Sequence, residues 1–305
     1  MGVIRKSDPE TGVVTTKCDT WDDFISEMRI DEGRYIGDHI YRGHGSLSWK
    51  LASVFERWID GLKQGNPEQI ISDLFSVGAL EKFRNLYLKP FMYFAQRIPG
   101  EQLPDKDDID AWLALGRHHG LITPILDWSR SPYIAAYFAS MESFKIAADK
   151  HRLFIAEKHG VDAANKYGPT FDSVMMGMGG PTLLPHEPFT IWALACHDDT
   201  FIKDEFRLLD KPEFRNDRLH AQRGLFTFLT HDVHVDVENY LASRNLGNRL
   251  EKFIVPGQEA GKVLHDLNLM GINKAALFPD ITGAAMQANM SSHRFNHGSD
   301  RRPQN

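Results

Sequence analysis

Residues 116–132 read Gly116-Arg117-His118-His119-Gly120-Leu121-Ile122-Thr123-Pro124-Ile125-Leu126-Asp127-Trp128-Ser129-Arg130-Ser131-Pro132. Within it, 121–128 has no helical period and reads as an irregular or extended segment. Histidines, a carboxylate, an indole and hydroxyls crowd into the stretch, and polar groups gathered on a loop point to function more than to packing. Ser131 followed by Pro132 is an N-cap and a first helical residue. The helix they start carries Ile134, Ala135, Tyr137, Phe138, Met141 and Phe144 and is expected to end near Ala148. Its small residues Ala135, Ala136 and Ala139 predict close packing on a sheet. Upstream, 109–117 reads as a short helix that delivers His118-His119-Gly120.

Working outward, 35–42 is a strand ending in Tyr41-Arg42-Gly43-His44-Gly45, where the glycines allow a sharp turn or a close ligand approach. A short β segment at 13–16 precedes a helix over 21–28, capped by Asp19 or Thr20. Helical spacing recurs over 54–96, with Leu80, Phe83, Arg84, Tyr87, Leu88 and Phe91 in one stripe, and Pro90 is expected to bend or end it. A polar linker, 99–108, follows. Strands are expected at 152–157, 189–195, 224–229, 252–255 and 275–278. Between the first two, the Gly/Met/Pro-rich 161–188 is expected to be a flexible insertion serving as a lid on the cleft. A helix over 258–269 stops at Gly271.

Helices and strands interleave irregularly, so the expected class is α+β, with a mixed or antiparallel central sheet flanked by helices and an α-helical N-terminal elaboration. The expected division is an N-terminal extension over 1–34, a domain over 35–290 with a helical insertion at 55–110, and a disordered tail over 291–305.

The 305 residues suffice for a large core without staples, and a net charge of −6 makes the whole surface a poor magnet for nucleic acid. Cys18 and Cys196 form no framework, which fits a reducing compartment. The N-terminus lacks a signal-peptide pattern, and no apolar run approaches the ~18 residues of a membrane span. A cytoplasmic protein with no membrane partner is expected. His231-x-x-His234 and the His118-His119 pair lack a third ligand at metal spacing, so no metal is expected. Neither G-x-S-x-G, nor a P-loop, nor a dinucleotide G-x-G-x-x-G occurs.

The motifs together resemble the FRG domain, which pairs an early (F/Y)RG with H-x-G-x-x-T-x-x-L-D-W-[ST]-x-S-P-x-x-A-x-x-F-A. Tyr41-Arg42-Gly43 matches the first, and His118 or His119, Gly120, Thr123, Leu126-Asp127-Trp128-Ser129, Ser131-Pro132 and Phe138-Ala139 match the second. Gln222 to Phe226 resembles a later Q-x-G-x-F, and Phe278-Pro279-Asp280 resembles a terminal F-P-D; the likeness spans roughly 35–290. Pro124 and Ile125 depart from a commoner Arg–Leu pair, and Thr282 replaces a second acid.

A more distant resemblance is to ADP-ribosyltransferases, in which an early-strand Arg contacts the dinucleotide, a hydroxyl-rich segment enters a helix, and a late strand supplies a Glu. It implies NAD as substrate, with Arg42 forked onto the pyrophosphate and Gly43 leaving it room. His118, Thr123, Ser129 and Ser131 would shape the pocket, and Trp128 or Tyr41 would stack on nicotinamide. His119, Asp127 and Gln222 are the candidate catalytic residues. For the missing late Glu, Gln222 is nearest in position, Glu205 and Glu251 lie further off, and Asp127 or Asp280 can take the role. The implied partners are a small-molecule nucleotide and a protein or nucleic-acid acceptor. The alternative is a non-catalytic nucleotide- or protein-binding module in a sensor, defence or toxin–antitoxin system.

Each residue also has a plainer reading. Arg42 can pair with Asp127 as a structural bridge, the histidines can pack, Trp128 can anchor a core, Ser131 can merely cap, Asp280 can serve a turn, Gln222 can bond in the core, and Cys196 is an inert thiol. Arg207, Arg215, Arg218 and Arg223 form a basic cluster that neighbouring acids largely cancel. Both views of Arg42 require it to lie close to Asp127.

Overall fold

The computed structural model describes residues 2–29, 38–65, 78–168, 185–202, 205–210, 217–230 and 236–296. Among these residues eight strands form one mixed sheet in the order β1-β2-β8-β5-β3-β4-β7-β6, and helices flank it, an α+β arrangement.

The N-terminal segment adds two strands, β1 (Ile4–Ser7) and β2 (Val14–Lys17), before helix α1 (Trp21–Met28). Thr20 caps α1: its hydroxyl accepts the Asp23 N–H at 3.2 Å, and the Asp23 carboxylate accepts the Thr20 N–H at 2.9 Å. Next, β3 (His39–His44) carries the Arg-Gly motif through two more residues than the sequence pattern suggested; the start of that expected strand, 35–37, lies outside the described residues.

Helix α2 (Val54–Gly65) is followed by α3, residues 79–95, in which a π-helical turn, Arg84–Leu88, separates Ala79–Phe83 from Lys89–Ala95. Pro90 lacks the N–H that an α-helix would use, and the helix passes it directly after the wider π turn rather than ending. Helix α4 (Ile109–His118) and strand β4 (Ile125–Ser129) bracket the connecting loop.

Helix α5 (Pro132–His159) is capped by Ser131, whose hydroxyl accepts the Ile134 N–H at 3.4 Å. Ser131→Ala is expected to cost about 1 kcal/mol, read as a drop in the melting temperature. Two sequence expectations fail on α5. It does not end near Ala148, and 152–157 is not a strand. Burial stops at Ala148, but no helix breaker occurs until Gly160, whose φ of 88° ends the helix. At 28 residues, α5 is about 42 Å long and outruns the sheet, leaving Leu153 and Phe154 exposed.

The expected lid over 161–188 begins as a helix, α6 (Val161–Tyr167), which packs on α5; residues 169–184, including its Met/Gly run, lie outside the described residues. Strands β5 (Phe189–Ala195) and β6 (Phe206–Leu209), helix α7 (Asp217–Ala221), strand β7 (Gly224–Leu229), helix α8 (Val237–Ser243), strand β8 (Leu250–Val255) and helix α9 (Ala260–Leu269) follow. The strand expected at 275–278 is instead a helical turn, α10 (Lys274–Leu277), because Asn273 caps it by accepting the Ala276 N–H at 3.0 Å. Helix α11 (Ile281–Asn296) runs past the boundary set at 290, and 297–305 lies outside the described residues. The described residues contain no helix long and apolar enough to cross a membrane.

Among the described residues the only parallel pairing is β2 with β8; the other neighbours are antiparallel. Tyr41, Ile191, Ala193 and Phe253 pack with α1, α5 and α9 in one core. Ile125, Phe226 and Phe228 pack with α2, α3 and α4 in another. Alternation from the Tyr41–Ser129 pair puts Ile125 and Asp127 on the same face as Tyr41. The two helical layers therefore sit side by side on one face and meet over the β3–β4 junction. The reverse face buries Ile40, Leu126, Trp128, Trp192 and Leu225 against α8. Wholly buried aromatics such as Trp21, Trp112 and Trp192 contribute on the order of 3 kcal/mol each.

Candidate functional site

Strands β3 and β4 share one register pair, Tyr41 with Ser129. A continuing ladder would set Gly43 opposite Asp127. Instead the strands part, and Arg42 fills the gap: its Nη1 donates to the main-chain oxygen of Asp127 at 2.6 Å and lies 3.6 Å from that residue's carboxylate. Its Nε donates to His44 Nε2 at 3.0 Å. Burial drives the His44 pKa down to about 2, with the Arg42 charge acting the same way, so the imidazole is neutral and free to accept. Two edges of the guanidinium are thus fixed by protein, and Nη2 has no protein partner among the described residues.

Arg117, at the end of α4, grips the Asp127 carboxylate: Nε lies 3.1 Å from each oxygen, and Nη2 lies 2.8 Å from Oδ2. Burial opposes ionisation of Asp127, but Arg117 and then Arg42 overcome it and hold the carboxyl below its usual range. Burial likewise lowers the Arg42 pKa, which Asp127 partly offsets. Asp127 is therefore an ionised hub between two arginines.

Over this split lies a cavity of about 400 Å³. One end is charged, formed by Arg42, Arg117, Asp127 and Glu142. The other is apolar, with Phe138 and Phe278 edge to face at 6.2 Å and Leu219 beside them. Arg218 stands over the Phe278 ring, 4.7 Å from its centroid, and pairs with Asp280 at 3.1 Å.

Eight residues picked from the sequence line this cavity: Tyr41, Arg42, Gly43, His118, Asp127, Trp128, Ser129 and Gln222. Several are tied down by protein. The Trp128 indole donates to Thr227 Oγ1 at 2.9 Å and is 4% exposed, which leaves it little face for stacking. Ser129 donates to the Gln222 main-chain oxygen at 2.8 Å, and the Gln222 amide donates to the Leu277 oxygen at 3.1 Å. Burial, then His119 and Arg218, lower the His118 pKa and favour the neutral ring.

Three picked residues do not line the cavity. His119 is exposed at the end of α4, its ring edge-on to His118 at 4.8 Å. Thr123 is wholly buried, and Ser131 is buried with its hydroxyl engaged as a cap. The substitute acids are also placed elsewhere: Glu205 pairs with Arg244, and Glu251 accepts from Thr16 at 2.5 Å. Asp280 accepts the Gly283 N–H at 2.7 Å besides holding Arg218. The His231/His234 pair lies outside the described residues.

Sequence reading assigned no role to Arg117, Glu142 or the Phe138–Phe278 wall. The signal for Glu142 was present: it falls at helical spacing from Ala135 and Phe138, an acid on the face of α5 that small residues press onto the sheet.

Residues 37–147 match the FRG domain, a span that holds Arg42, Arg117, Asp127 and Glu142 but not Gln222 or Phe278. No curated protein and no solved structure matches the chain.

Proposed function

We propose that the chain binds NAD in the β3–β4 cleft and cleaves it, as an ADP-ribosyltransferase-like enzyme or NAD glycohydrolase. The observation that carries this reading is the cavity's two-ended chemistry. A guanidinium held by His44 and by the Asp127 main chain keeps one edge for an anion, and an aromatic wall with Arg218 across it stands at the other end. A planar arginine fork suits pyrophosphate oxygens, and Phe138 suits a heteroaromatic ring, while Phe278 beside it already carries Arg218 and Lys274 over its ring. Asp127 is a poor reactant, since Arg117 and Arg42 already occupy it; its role is to hold the arginines. That engagement is also what favours the second reading, a module that binds a nucleotide without cleaving it.

Purified protein with millimolar NAD should release nicotinamide, detected by chromatography, and should melt at a higher temperature. A ligand at 100 times its Kd stabilises by about 2.7 kcal/mol. A melting shift without nicotinamide would select the binding module. With neither, the nucleotide reading fails.

A further inference from the structure

Glu142 differs from the other acids around the cavity. Asp127 and Asp280 are held by arginines, whereas Glu142 has no ion-pair partner among the described residues. Its one hydrogen bond among the described residues is long, from the Gly45 N–H at 3.4 Å. It is half-buried, lines the charged end of the cavity and shares that end with Arg42. The close approach of α5 to β3 does not depend on a carboxylate there: Gly43 and Gly45 lie against the α5 backbone and the Glu142 β-carbon, and Tyr41 packs with the apolar side chains of α5. An acid with no ion-pair partner among the described residues, on a rigid helix at the same cavity as Arg42, is placed for chemistry.

We propose that Glu142 is the catalytic base of the cleft. The inference rests on the NAD-cleaving reading. In the step it serves, the bond between the ribose C1′ and the nicotinamide nitrogen breaks, and its electron pair leaves on that nitrogen, making it neutral. A water oxygen supplies a new pair to C1′, and the proton that water loses passes to the Glu142 carboxylate and then to solvent. The balance is NAD⁺ and water to ADP-ribose, nicotinamide and one proton. If an acceptor nucleophile replaces water, the same carboxylate takes its proton.

Burial raises the Glu142 pKa, and the Gly45 N–H, Arg42 from β3, Arg57 from α2 and Lys145 on its own helix offset this only in part. A base must be ionised, so the rate should be lost as pH falls through a value above the ordinary carboxylate range.

The test compares wild type with Glu142→Gln, which keeps the shape and an acceptor for Gly45. Calorimetry measures NAD binding, and chromatography measures nicotinamide release across pH. The variant should bind NAD within about three-fold of wild type but release nicotinamide at least about 100-fold more slowly, without the acid limb of the pH profile. Release at the wild-type rate would overturn the role of Glu142 and leave the NAD reading standing. Equal losses of binding and rate would make Glu142 a binding group and also overturn the proposal. If wild type binds NAD but never cleaves it, the base is refuted and only a nucleotide module remains. If wild type does neither, both readings fall.

Discussion

Gly43→Ala should destabilise the fold by about 3 kcal/mol or more, the upper range for overpacking. A β-carbon at Gly43 would lie 1.9 Å from the main-chain oxygen of Ala135 and 2.8 Å from the Ala139 nitrogen. Both are backbone atoms of α5, so no side-chain rotation can relieve the contact. The helix would have to move off β3, and α5 also packs on β5 and α9. The glycine in the Arg-Gly motif is therefore required by helix packing, and not by a turn, since β3 runs on through His44. Gly45 repeats the arrangement, with a β-carbon 2.7 Å from the Glu142 carbonyl carbon. Gly61 in α2 is the control: a β-carbon there meets nothing within 4 Å, so Gly61→Ala should stabilise by roughly 0.5–1 kcal/mol through helix propensity. In melting curves the two variants should move in opposite directions. If Gly43→Ala melts within a degree or two of wild type, α5 is not pressed on β3 as described.

The features legible in the sequence were those that local chemistry dictates. Ser131-Pro132 starts a helix because a hydroxyl and a proline ring act within one turn, and Asn273 would have revealed α10 by the same logic had it been weighed above the apolar run 275–278. The end of α5 was misread because burial stops at Ala148 while the backbone has no reason to stop before Gly160. Strand β1 escaped notice because all four of its residues are exposed, and it exists through its pairing with β2. The parallel contact of β2 with β8 joins residues more than 230 positions apart, and no local pattern encodes it. At the cleft, the motif residues were visible as a group, but the division of labour among them was not. From the sequence Arg117 reads only as the end of a short helix, yet it takes the larger share of Asp127, which leaves Arg42 with an edge free of protein partners among the described residues.

Arg42→Lys should abolish detectable NAD binding at millimolar ligand while costing only about 1 kcal/mol of stability. The guanidinium has three edges: Nε meets His44, Nη1 meets the Asp127 main chain, and Nη2 has no protein partner among the described residues. A lysine can replace the Asp127 contact with one ammonium, but it cannot also face His44 and offer a planar fork to phosphate. Arg42→Ala should bind no better and lose about 2–3 kcal/mol, because the half-buried side chain vanishes and the Asp127 carbonyl and His44 Nε2 lose their donors. The loss stays below that of an orphaned buried charge, since Arg117 still neutralises Asp127. Calorimetric NAD titrations and melting curves on wild type and both variants separate the outcomes. A lysine variant that binds NAD as wild type does would show that the fork is not used, leaving Arg42 as the strut that closes the split between β3 and β4.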